Sequence, residues 1–140
     1  MTMDGISFLK SLNLEVFCQR DEEIATLLSN TVSGKVGRYK SFHFASADVV
    51  VRASKDRSLL QCLRNSYVFC DSRPLFVFMK IRDRAKKKLV QSRGTAFMSY
   101  VWSGKGDETF KHFLISPNEE ASKRLITKFN IAGQIGRAHV

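Results

Sequence analysis

Side chains able to do covalent or acid–base chemistry are few and scattered in this chain. The three cysteines, Cys18, Cys62 and Cys70, are odd in number and sit in the apolar settings EVFCQ, LLQCL and YVFCD. None belongs to a CxxC pair and the histidines add no ligand spacing, so no zinc or other metal site is expected. Buried free thiols in a reducing compartment are the expected state. Asp48, Asp71, Asp83 and Asp107 stand apart from any His or Cys at a catalytic spacing. His43 lies between two phenylalanines in an alternating run, and His112 lies in FKHFL; neither setting asks for more than a neutral, half-buried imidazole. Cys70, beside Asp71 and near Arg73, has a setting that could lower a thiol pKa, but packing in a strand is the favoured reading. SGKVGR (33–38) lacks the glycine spacing of a phosphate loop and leads into a strand, while SGKGDE (103–108) reads as a hairpin turn. The expectation is a protein that is not an enzyme and uses no cofactor.

What the chain does have is charge. Its 140 residues carry a formal net charge of +10. Residues 1–34 hold two cations against five acids, and residues 94–140 hold six against four. Residues 35–93 hold fifteen Lys and Arg against four Asp, so the excess is concentrated in the middle. Charges packed this densely repel one another and oppose folding, which suits an anionic partner better than a solubility device. The densest part is KIRDRAKKK (80–88), six cations and one acid in nine residues, directly after the apolar run PLFVFM. Lys80, Arg82, Arg84, Lys86, Lys87 and Lys88 are therefore the expected anion-binding residues, with Arg52, Lys55 and Arg57 in support. Such an array suits phosphates and lipid head groups alike, through counterion release or attraction to an anionic leaflet. Lysines supply point charges without bidentate geometry, which favours diffuse attraction over base readout. The stretch also matches the loose pattern of a nuclear-localisation signal.

The elements that must position these cations follow from periodicity. With 44% hydrophobic and 11% aromatic residues, the chain is globular and long enough for one core. GISFLKSLNL reads as a helix, and Asp21 as the cap of a second, EEIATLLSNTVSG, closed by Gly34. From Arg38 the period changes to two: YKSFHF and ADVVVRA read as strands. KDRSLLQCLRNS reads as a short helix with Leu59, Leu60 and Leu63 inward. YVFC is a strand and DSRP a turn. LFVFMKI and GTAFMSYVW read as strands flanking the basic stretch, with its lysines at a hairpin tip. SPNEEASKRLITKF reads as a C-terminal helix, with Ser116 as cap, Pro117 first and Glu119 closing a capping box. The expected fold class is α+β: a mostly antiparallel sheet with N-terminal helices, one inserted helix and a C-terminal helix. Most of the eleven phenylalanines belong in the core rather than on a base-stacking platform.

From Arg38 to about Ile81 the pattern RYKSFHF, VVVR, a short amphipathic helix, YVF and RP resembles rhabdovirus matrix proteins. Those proteins show a similar order of aromatic strand, V-x-V-R-like strand, helix and R-P turn in a small basic α+β domain. The likeness covers about a third of the chain, and the Pro-rich late-domain motif and Lys-rich N-terminal tail of some members are missing here. The resemblance implies a structural protein without a cofactor. It would self-associate as a homo-oligomer, condense the nucleoprotein and bridge it to an anionic membrane surface, within a virion. The alternative is a sequence-nonspecific RNA-binding protein, such as a silencing suppressor or an RNA-binding accessory factor.

The N-terminus MTMDGISFLKSL has neither a basic n-region nor an apolar h-region, and no run approaches the roughly 18 apolar residues of a span. The protein is therefore expected to be intracellular, soluble or membrane-peripheral, with nuclear entry open to it through the basic stretch. IGRAHV (135–140) is what one frame of a common sequencing adapter encodes (ATC GGA AGA GCA CAC GTC). The expected organisation is a single basic domain over residues 1–133, followed by a non-native tail over 134–140.

Overall fold

The computed structural model describes residues 5–35, 41–83, 88–105, 112–116, 118–129 and 133–137. By contacts the chain divides into two compact units, Met1–Phe97 and Met98–Val140.

The first unit opens with strands β1 (Ile6–Leu9) and β2 (Leu14–Phe17), paired antiparallel with Ile6 opposite Phe17 and Leu9 opposite Leu14. This corrects the helix expected over GISFLKSLNL. The chain reverses through a 3₁₀ turn (Lys10–Leu12) closed by Asn13 at φ 47°, a left-handed conformation that asparagine tolerates. Helix α1 (Asp21–Val32) follows, burying Ile24, Leu27 and Thr31. Asp21 is its first residue rather than its cap: the Glu23 carboxylate accepts the Arg20 backbone N–H at 3.0 Å, and Ser92 donates to Asp21. Strand β3 (Phe42–Ala45) then leads into α2 (Ala47–Ala53), α3 (Arg57–Arg64) and strand β4 (Tyr67–Cys70).

The sheet order is β1-β2-β4-β3. β4 runs parallel to both β2 and β3, so the sheet is mixed and not mostly antiparallel. The parallel β3–β4 pair is made possible by α2 and α3, which carry the chain back to the start of the sheet. Period-two alternation divides the sheet into two faces. Leu9, Leu14, Val16, Cys18, Ala45, Val68 and Cys70 form one, packed with Ala53 from α2, Leu63 from α3 and Met79 from a fourth helix, α4 (Arg73–Arg82). The other is aromatic: Phe69, wholly buried, stacks with Phe42 and Phe44, and Phe44 stacks in turn with Phe97.

Three expected strands are helices. ADVVVRA forms α2 because Ser46 caps it, accepting the Val49 N–H at 3.3 Å, and Asp48 pairs with Arg52 one turn on at 2.9 Å. LFVFMKI lies in α4 (Arg73–Arg82), where the Ser72 hydroxyl accepts the Leu75 N–H and Pro74 occupies the first turn. GTAFMSYVW forms α5 (Gly94–Tyr100) and a following π-helical turn (Val101–Lys105). A side chain at Gly94 would press within 3.1 Å of the Phe44 ring, so glycine allows this close approach. The two runs expected to flank the basic stretch as a hairpin are therefore helical. Two segments that carry the matrix likeness, VVVR and the run after R-P, are thereby helical.

In the second unit, β5 (His112–Ser116) and β6 (Gly133–Arg137) pair in parallel, and α6 (Glu119–Phe129) connects them. The Asn118 side chain accepts the Ala121 N–H at 2.8 Å, which places the cap two residues beyond the expected Ser116. Lys123 pairs with Glu119, and Arg124 with Glu120, along the exposed side of α6.

Candidate anionic-surface interface

The expected anion-binding residues that are described fall in two places, on and just beyond α4 and at the α2–α3 corner. Lys80 and Arg82 are both exposed on α4, and Lys88 lies in a turn beyond it. Arg84, Lys86 and Lys87 lie outside the described residues. Period-two projection of Lys80 and Arg82 from a strand is replaced by helical spacing. Arg52 lies in the last turn of α2, Lys55 in the connecting turn and Arg57 begins α3, so these three form one exposed corner. Along α3 the exposed positions are Arg57, Ser58, Gln61, Cys62 and Arg64, all but the cysteine strongly polar. Arg64 is tied down, donating from Nε and Nη2 to the Leu12 carbonyl at 3.0 and 2.6 Å, which fastens α3 to the β1–β2 turn.

The cations are not equally available. Arg52 shares its charge with Asp48. Arg82 donates to Asp83 through Nε at 3.2 Å and Nη2 at 3.1 Å, and Nη2 also donates to the buried Ser7 hydroxyl at 2.8 Å. Ser7 donates in turn to Asp83 at 2.5 Å. This closed triangle pins the end of α4 to β1 and neutralises Arg82 locally. Lys80 and Arg73 have no carboxylate partner among the described residues.

The α4 surface between these cations is apolar. Met79 is wholly buried, and Leu75 and Phe76 pack against the same core. Those three fix the orientation of the helix. The opposite side then presents Val77, Phe78 and Ile81, which are 44%, 56% and 57% exposed, with exposed Pro74 beside them. Lys80 lies 5.7 Å from the centroid of the Phe76 ring and Arg82 5.7 Å from that of Phe78, both cation–π contacts. A groove beside Phe78 and Arg82 is lined by Phe8, Lys10 and Ser11 from the β1 end. Arg73, Lys10 and the apolar stripe were not singled out from the sequence. The signal was present: a capping serine, a proline in the first turn, apolar residues at helical spacing and two cations in the last turn.

Several of the residues with catalytic potential make structural contacts, while Asp107 lies outside the described residues. His43 is half-buried on β3 opposite Val68. Asp71 accepts the Gly94 N–H at 3.2 Å, and the Cys70 thiol donates to the Ser72 carbonyl at 3.3 Å. Cys18 and Cys70 are buried side by side at the ends of β2 and β4, but Cys62 is exposed on α3, which corrects its expected burial. Among the described residues no three His, Cys, Asp or Glu side chains gather as a metal site.

Fold and surface together define a mixed-sheet α+β unit that exposes cations on α4 and at the α2–α3 corner. Comparison with protein-family models and with curated proteins finds no match for the chain. Among the described residues, no helix is long and apolar enough to cross a membrane.

Proposed function

We propose that this chain is a non-enzymatic, matrix-like structural protein that self-associates and bridges a nucleoprotein to an anionic membrane surface. The observation that supports this reading is the presence of exposed cations at two places in one unit, α4 and the α2–α3 corner. A bridge needs two anion-binding surfaces, whereas a simple nucleic-acid binder needs one. The protein works at the inner face of a membrane and in the virion it helps to build, with the basic stretch 80–88 open to nuclear import.

The test is co-recruitment. Labelled RNA is mixed with phosphatidylserine-containing vesicles and floated with and without the protein. RNA should float only with protein present, and larger protein assemblies should appear as concentration rises. Vesicle binding without RNA recruitment, or RNA binding without vesicles, defeats the bridging role. The second of those outcomes is the one expected of an RNA-binding accessory factor or silencing suppressor. That alternative draws support from Phe42 and Tyr67, neighbouring half-buried rings on the aromatic sheet face.

A further inference from the structure

We infer that α4 is the membrane-contacting element, lying in the plane of an anionic leaflet with its outward stripe inserted among the acyl chains. The inference rests on the bridging reading and specifies which of the two basic surfaces meets lipid. At 3.6 residues per turn, Pro74, Val77, Phe78 and Ile81 span about 100° of the helix circumference, opposite the side that Leu75, Phe76 and Met79 turn to the core. Arg73 and Lys80 lie along one margin of that stripe and supply its available cations, while Arg82, on the other margin, is held by Asp83 and Ser7. Lys10 lies across the groove from Phe78. This is the arrangement an interfacial helix requires: apolar side chains at the acyl boundary, with long cationic side chains reaching up to the phosphates.

Nucleic acid does not fit this surface as well. A phosphate backbone seeks cations facing straight outward, yet here the outward centre is apolar and the cations stand at its margins. Setting Val77 and Ile81 against phosphates would desolvate charge without replacing its hydration. The α3 surface, with Arg57, Ser58 and Gln61 outward and Cys62 as its one exposed apolar residue, suits phosphates better. The ten residues of α4 reach about 15 Å, long enough to lie in one leaflet and too short to cross two.

The experiment places an environment-sensitive fluorophore at Ile81→Cys in a Cys62→Ser background, the other two thiols being buried. Vesicles contain phosphatidylcholine, phosphatidylserine and a lipid bearing a nitroxide on its acyl chain. The label at position 81 should be quenched, and a label at Gln61→Cys on α3 should not. In parallel, the triple variant Val77→Ser, Phe78→Ser, Ile81→Ser should lose about tenfold to a hundredfold in vesicle affinity and keep its RNA affinity. Because all three side chains are exposed, its unfolding midpoint should stay close to that of the parent.

Vesicle binding without quenching at position 81, or vesicle affinity retained by the triple variant, overturns the assignment of α4 and leaves the bridging reading standing. An equal loss of RNA and vesicle affinity also overturns it. Loss of self-association with vesicle affinity kept would show the stripe to be a contact between copies of the chain. If the parent protein fails to bind vesicles at all, the bridging reading falls as well.

Discussion

Cys18 and Cys70 show how little of a side chain's behaviour follows from its type. Both sulfurs are buried at neighbouring strand ends, and Cys70 donates onward to the Ser72 carbonyl. The hydrogen bond between the two thiols, together with burial, pushes the Cys18 thiol well above the usual range, and the same hydrogen bond lowers Cys70. An alkylating reagent should therefore add one group to the native protein, at Cys62, and three after denaturation, as read by intact mass. Two or more additions to the native protein would mean that the ends of β2 and β4 open. Asp83 is a second case. It reads as an isolated acid in a basic run, yet it accepts from both Arg82 and the buried Ser7. Asp83→Ala should destabilise the protein by about 1–3 kcal/mol in chemical denaturation, because a buried hydroxyl and a partly buried guanidinium lose their acceptor.

Local signals that act within a turn were legible at the scale of elements, and those that depend on a neighbour were not. The α3 helix is written into KDRSLLQCLR: Asp56 accepts the N–H groups of Ser58 and Leu59 at 2.9 and 3.0 Å, and Leu63 faces the core. Asp56→Ala should cost about 1 kcal/mol, read as a lowered denaturation midpoint, while Asp56→Ser should restore most of it. The runs VVVRA and LFVFMKI, by contrast, are rich in residues that favour strands, and short apolar runs fit either structure. Their capping serines, Ser46 and Ser72, decided for helix. β-Branched residues lose little in a helix when the turn is capped and one side is buried. β1 was mistaken in the opposite sense, since the spacing of Ile6 and Leu9 suits a helix while burial of Ser7 and Leu9 suits a strand.

For the whole molecule, charge is the property that composition reports most directly. The proposed division of labour predicts different salt responses for the two partners. RNA affinity, resting on counterion release, should fall steeply and linearly with salt on logarithmic axes. Vesicle affinity should fall less, because part of it comes from apolar insertion that salt does not screen. Replacing Arg73 and Lys80 with Gln should weaken vesicle binding by about 1 kcal/mol per cation, together about thirtyfold, measured by flotation at low salt. Parallel loss of both partners with salt would mean that the α4 stripe contributes nothing.

By itself the sequence determined the sign and concentration of the charge, the scarcity of catalytic spacing, the α+β class and the elements whose caps and periods agree, notably α3, β3 and β4. Those properties are local sums or local hydrogen bonds, readable within a few residues. Only the tertiary structure decided that β4 runs parallel to β2 and β3, that the run after Ser72 is a helix, and that Met79 turns inward while Phe78 turns out. Each of those outcomes depends on which distant side chains compete for the same core. An apolar decamer with cations at its end can be a buried strand or a helix with an exposed stripe. Here Leu75, Phe76 and Met79 fill the remaining space over β4, and the surface that α4 offers is what they leave outside.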